Sequence, residues 1–70
     1  MGTSAHIGRS IRSAREQAGL TQHDLGERIG VRWLTISRYE RGESNISLHR
    51  LDQIAEALEV PTVELVKDAA

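Results

Sequence analysis

Apolar residues recur along this chain at intervals of three and four, and the runs break at glycine, proline and capping residues. Ile7, Ile11, Ala14 and Ala18 follow at spacings of 4, 3 and 4, which predicts a helix over about residues 5–18, ended by Gly19. Thr21 suits a helix cap, with Asp24 placed for a capping box, and Leu25 and Ile29 give a second helix over about 22–29 that stops at Gly30. A third helix is expected from about Trp33 to Arg41, stopped by Gly42. Residues 43–46 read as a loop, and Ser47 caps a fourth helix with a broad stripe of Leu48, Leu51, Ile54, Ala55 and Leu58. Pro61 suits the start of a last helix from Thr62 to about Lys67, with Val63, Leu65 and Val66 to bury. Residues 1–5 carry no periodicity and are expected to fray. No segment reads as a strand. The pattern predicts an all-α bundle with a core of Ile7, Ile11, Leu20, Leu25, Ile29, Ile36, Tyr39, Leu48, Leu51, Ile54 and Leu58.

Residues 19–42 form the most informative stretch. Two short helices joined by a glycine-containing turn make a helix-turn-helix, whose second member can enter a DNA major groove. At 100° per residue, Ile36 and Tyr39 lie on one side of the third helix and Leu34, Arg38 and Arg41 on the other. Trp33, Thr35 and Ser37 fall on the flanks. Glu40 borders the inward face, a costly place for a carboxylate unless a cation meets it. Arg15 follows Ile11 by four residues, so Arg15 and Glu40 are expected to form a buried or half-buried ion pair tying helix 1 to helix 3.

Charge sharpens this picture. The 70 residues carry a net charge of −1, unusual for a DNA binder, but the halves differ. Residues 1–42 hold seven arginines against four acids, and residues 43–70 hold two basic groups against six acids. A dipolar domain follows, basic at its reading half, with only modest overall attraction to phosphate. The length fits one domain, near the lower limit for a self-sufficient core. Cysteine is absent, which excludes disulfides and thiolate metal sites and suits a reducing cytoplasm. No apolar run approaches the roughly 20 residues of a membrane span, so the chain is expected to be soluble and cytoplasmic.

Arg15, the run Gly19-Leu20-Thr21-Gln22, Leu25, Ile29-Gly30-Val31 and Thr35-Ile36-Ser37-Arg38-Tyr39-Glu40-Arg41-Gly42 resemble the lambda-repressor-like, Cro/C1 (XRE) DNA-binding domain. The likeness continues through Ser47-Leu48, Leu51, Ile54-Ala55, Ala57-Leu58 and Val60 to Leu65, covering about residues 7 to 66. It implies one compact five-helix domain over residues 1–70, ordered from about 5 to 67, that binds operator DNA as a dimer. It also implies a phosphate contact for Gln22, where the unpaired N–H groups of a helix start favour an anion. The chain departs from the family at Trp33 and Leu34, usually polar positions, and at Gly26, usually alanine. Ile46 replaces a common proline and Glu43 an often basic residue, which weakens the loop as a phosphate clamp; Ser44 and Asn45 remain as donors to the DNA backbone.

Arg38 is the candidate for direct readout, since a guanidinium bonds bidentately to guanine O6 and N7. A phosphate contact is its alternative. Arg32 and Arg41 read as phosphate ligands, with Thr35 and Ser37 beside them on the DNA side. Leu34, facing away from the core, is placed to meet a thymine methyl, whereas Trp33 on the flank is expected either to join it or to pack over the start of helix 2 near Gln22. His6, His23 and His49 are too scattered for a metal set. Ser37 and Ser47 lack a positioned base, and no phosphate-binding glycine loop is present, so neither catalysis nor a cofactor is expected.

The resulting expectation is a sequence-specific transcriptional regulator of repressor or controller type. It would act as a homodimer on a palindromic operator with half-sites roughly 34–36 Å apart. Leu58, Val60, Val63, Leu65 and Val66 are the candidate dimer surface, having more apolar residues than one core stripe requires. The alternative is a protein-interaction module of the same fold that applies Trp33 and Leu34 to a protein partner.

Overall fold

The computed structural model describes residues 3–67, and among these every regular element is a helix. They are α1 (Thr3–Gln17), α2 (Gln22–Ile29), α3 (Trp33–Glu40), α4 (Leu48–Leu58) and α5 (Val63–Val66). Thr3, Ser4 and Ala5 were expected to fray, yet they form the first turn of α1. Tertiary contacts hold that turn: the Ser4 hydroxyl donates to Asn45 Oδ1 at 3.0 Å, and Ala5 packs directly on Gly42. The fraying expected at Met1 and Gly2 lies outside the described residues.

Helix α2 starts in a full capping box. Thr21 Oγ1 accepts from the Asp24 N–H at 3.0 Å, and Asp24 Oδ2 accepts from the Thr21 N–H at 2.9 Å. That backbone hydrogen bond, followed by the one from the Thr21 side chain, holds the Asp24 carboxyl below the usual carboxylate range. Gly30 ends the helix at φ 77° and returns its N–H to the Gly26 carbonyl, a left-handed conformation that a Cβ disfavours. Helix α4 ends in the same way at Glu59, at φ 58°, with no glycine to announce it.

Ile11, Leu25, Ile36 and Ile54 meet in the fully buried centre, with Leu51, Ala55, Leu58 and Leu65 closing it. Helix α1 packs on α3, α4 and α5, and α2 on α3 and α4. Ile7, Leu20, Ile29 and Tyr39 are only partly buried around this centre. Leu48, expected in the core, is instead 69% exposed. Helical side chains tilt toward the N-terminus, so the first residue of α4 projects beyond the last turn that a neighbour covers. Leu58 and Leu65, expected at a dimer surface, are 5% and 1% exposed and belong to this chain's own core. Helix α5 is also shorter than expected, and Leu65 is its one buried residue. Val63 is left at 60% exposure, with Val60 and Val66 half-buried beside the core.

Two backbone approaches fix how α3 sits. A Cβ at Gly8 would clash with the Tyr39 and Glu40 carbonyl oxygens, so α1 and the end of α3 cross with no side chain between them. A Cβ at Gly26 would lie 2.6 Å from the Val31 carbonyl oxygen, which draws the turn of the helix-turn-helix onto α2. The same crossing holds the Arg15–Glu40 pair. Arg15 Nε donates to Glu40 Oε2 at 2.6 Å and Nη2 to Oε1 at 3.0 Å, while Nη1 reaches the Leu20 carbonyl at 2.8 Å. Both residues are 8% exposed. The hydrogen bonds to Glu40 outweigh burial and raise the Arg15 pKa further, so the guanidinium stays charged.

Glu40→Ala leaves a buried guanidinium uncompensated and should cost about 3–5 kcal/mol in urea denaturation, whereas exchanging both partners for apolar residues of similar size should cost far less. An unchanged midpoint for Glu40→Ala would contradict the burial. Gly26→Ala recovers about 1 kcal/mol of helix propensity. The clash with a backbone oxygen should nevertheless give a net loss of about 1–3 kcal/mol, read as a lower melting temperature.

Candidate nucleic-acid interface

The outer side of α3 is built by what its inner side must do. Ile36 and Glu40 are buried, which fixes the rotation of the helix and leaves Arg32, Trp33 and Arg38 exposed on or beside it. Arg32 is the N-cap and makes no side-chain cap hydrogen bond. Among the described residues, neither the Arg32 nor the Arg38 guanidinium has a hydrogen bond or ion pair. Two fully ionised donors thus stand free on one short helix.

Leu34 is half-buried, although the wheel faces it outward, and Trp33 is 52% exposed. Trp33 is the first residue of the helix, where side chains tilt toward the N-terminal end. Thr35 and Ser37 are half-buried on the flanks.

Gln22 is also half-buried, and its amide is engaged: Nε2 donates to Glu40 Oε1 at 3.1 Å. Glu40 Oε1 therefore accepts from Arg15 and Gln22 together, and the ion pair extends to the start of α2. One Nε2 hydrogen is used and the second remains. Arg41 is half tied down, its Nε 3.3 Å from the Ser37 carbonyl and its Nη1 3.2 Å from Glu43 Oε2. Both side chains of the Arg41–Glu43 pair are about half exposed, so water and salt screen it and a phosphate can displace it. Arg41, Gln22 and Ser37 share an open depression of about 560 Å³ with Arg12, Arg15 and Glu40. Arg12 was not singled out from the sequence. Its signal was its place one turn before the end of α1, three residues ahead of Arg15, and it is held only by an exposed contact with Glu16 at 3.4 Å. Asn45 spends its Oδ1 on Ser4, and Ser44 is half-buried beside it.

The structure brings Gln22, Ser37 and Arg41 to one depression beside the helix-turn-helix, which Arg38 does not line, and Ser44 and Asn45 lie on the loop that Asn45 anchors to α1. Among the described residues, one group offers metal-ligand donor types: His23, Asp24 and Glu27 on α2, with ligand atoms within 4.8 Å of one another. The group is on the surface, and Asp24 is already occupied by the capping box. None of the described helices is long and apolar enough to cross a membrane.

Comparison with known proteins agrees with this geometry. A family model described as Helix-turn-helix matches residues 11–65. The chain is 47% identical over 57 residues to a Rhodospirillum rubrum protein named as an uncharacterized transcriptional regulator in the ATPase CF(0) region, covering 81% of this chain and 53% of that one. The restriction-modification controller protein C.AhdI from Aeromonas hydrophila superposes with a TM-score of 0.84 at 31% identity, covering 87% of this chain and 88% of that one. The P22 c2 repressor, solved with a synthetic operator, superposes with a TM-score of 0.79 at 31% identity, covering 87% and 92%. The chain spans about half or less of the length of the curated relatives it matches.

Proposed function

The chain belongs to the helix-turn-helix family of lambda-repressor-like, Cro/C1 (XRE) type, and on that premise we propose that it regulates transcription by laying α3 in the major groove of a partly palindromic operator, two copies per site. The observation that carries this reading is the pair of unpartnered guanidinium groups, Arg32 and Arg38, on a helix whose other face is locked into the core. Arg38 is the base reader, bidentate to a guanine. Arg32, Arg41 and Gln22 grip phosphate on either side and set the register, the last through its free Nε2 hydrogen and the positive end of α2. Thr35 and Ser37 stand close enough to the groove to accept or donate locally. Ser44 and Asn45 contribute backbone contacts at the edge.

A single α3 is about 12 Å long at 1.5 Å per residue, so it spans only a few base pairs. Two copies related by a two-fold axis double the contacts and match a palindrome. With Leu58 and Leu65 consumed by the core, the self-association surface reduces to Val63 flanked by Val60 and Val66. That patch is small, and Glu59 and Glu64 lie beside it, so the dimer is weak alone and tightens on DNA. The relatives described are regulators, a controller and a repressor, which favours DNA over a protein partner for Trp33 and Leu34.

Selection from random duplex DNA should recover a palindromic motif; no enrichment at low salt would refute the proposal. On the selected site, Arg38→Ala should lose about 1–3 kcal/mol of discrimination at one base pair per half-site. Gln22→Ala should instead weaken specific and random duplexes equally, as measured by fluorescence anisotropy. Sedimentation of the wild type should show two chains per full site, and Val63→Glu should reduce this to one at the same concentration. One wild-type chain per full site would eliminate the dimer.

A further inference from the structure

Each guanidinium on the open depression beside the helix-turn-helix already holds a carboxylate of this chain. Arg15 has Glu40, Arg12 has Glu16 at 3.4 Å, and Arg41 has Glu43 at 3.2 Å. Among the described residues, Arg32 and Arg38 on the outer side of α3 have no such partner. The Arg15 pair is buried and ties helices together, and the Arg12 pair is an exposed contact within α1. The Arg41 pair differs from both. Its carboxylate comes from the loop after α3 and meets the arginine assigned above to DNA phosphate.

The backbone fixes Glu43 in that place. Its N–H donates to the Arg38 carbonyl at 3.0 Å, and the Gly42 N–H donates to the Tyr39 carbonyl at 3.1 Å, with Gly42 in the left-handed region at φ 72°. The carboxylate therefore stands just past the C-terminal end of α3, where the helix dipole disfavours an anion. An exposed ion pair contributes little to stability, and both of these side chains are about half exposed. Glu43 thus adds little to the fold, yet it sets a negative charge within a Debye length of any phosphate that Arg41 grips. With Nε turned to the Ser37 carbonyl at 3.3 Å, Arg41 has its two Nη groups to offer an anion, and Glu43 stands against one of them.

We propose, resting on the phosphate contact assigned to Arg41 above, that Glu43 is an intramolecular competitor of DNA phosphate for that guanidinium. In the free protein its carboxylate stands in for a phosphate oxygen, and docking on DNA exchanges one anion for the other. Each chain binds more weakly by the cost of that exchange, on specific and random duplexes alike. Two copies on one operator incur it twice. Glu43 therefore sets the affinity of the domain without touching a base or the valine patch.

Affinity is read by fluorescence anisotropy on a random duplex and on the selected operator, over a series of salt concentrations. At low salt, Glu43→Gln should tighten both about two- to fivefold per bound chain, the worth of an exposed ion pair. It should also steepen the log–log salt dependence by about one per chain, because no freed carboxylate then offsets the phosphate contact. Glu56→Gln, on α4 and outside the depression, makes the same change in net charge and should gain much less. In an Arg41→Ala background, the gain from Glu43→Gln should fall to that of Glu56→Gln. The melting temperature of Glu43→Gln should match or exceed that of the wild type, which separates the gain from any change in folding. No gain in Glu43→Gln overturns the inference, and so does a loss, which would mean that Glu43 aims Arg41 at phosphate. A gain equalled by Glu56→Gln, or kept in full without Arg41, overturns it as well, and DNA binding stands in all of these cases. Wild-type protein that binds no duplex at low salt overturns the regulator reading itself, and this inference with it.

Discussion

The Glu40 carboxylate is the point on which the reading half of this molecule depends. It is buried at the last residue of α3, where an unpaired charge would cost several kcal/mol, so the fold must bring cations and donors to it. Arg15 supplies two hydrogen bonds from α1 and sends a third to the Leu20 carbonyl, just before α2 begins. Gln22 supplies another from the first residue of α2. One anion thus joins three helices, and the direction of α3 follows from satisfying it. An apolar residue at position 40 would permit α3 to rotate and still bury its surface. The carboxylate admits one orientation, the one that keeps Arg38 outside.

Close backbone contact makes that orientation rigid. Gly8 and Gly26 let main chain meet main chain on both sides of α3, leaving no side chain in between to change rotamer. Helix α3 is therefore clamped by close main-chain packing as well as by side chains. Its eight residues are fewer than the roughly 12–15 an isolated helix needs to hold its shape in water. A short helix presented this firmly loses little conformational entropy on meeting DNA, which offsets the weak electrostatic attraction expected of a domain with net charge −1.

The helices and the ion pair were legible because each rests on local or charge-balance rules. The Thr21–Asp24 capping box, the stop at Gly30 and the cost of an unpaired Glu40 can all be argued without coordinates. Side-chain exposure near helix ends was less legible. Leu48 and Trp33 both begin helices, and a wheel assigns them a direction without recording that no neighbour extends past the end. Leu58 and Leu65 were expected both to bury and to extend a dimer surface, and only the burial holds. A 70-residue core has so little to bury that it claims both leucines itself. The free or engaged state of Gln22 was beyond pattern reading, because its partner lies 18 residues away.

Helix α5 is a single turn, too short to persist without support, and three side-chain arrangements hold it in place. Leu65 plugs the gap against α1, Thr62 Oγ1 donates to Asp52 Oδ1 at 2.7 Å, and the His6 ring meets the Lys67 carbonyl at 2.8 Å. All three of these anchors rest on α1 or α4, and none of the three involves α2 or α3. The bundle accordingly has a hierarchy of protection against hydrogen exchange. Exchange of the α5 amides is expected to proceed through a local, low-energy opening, and exchange of the α2 and α3 amides through opening of the whole core. The segment proposed for self-association is thus the one that rearranges cheaply, and the helix proposed to read bases is the one the core holds.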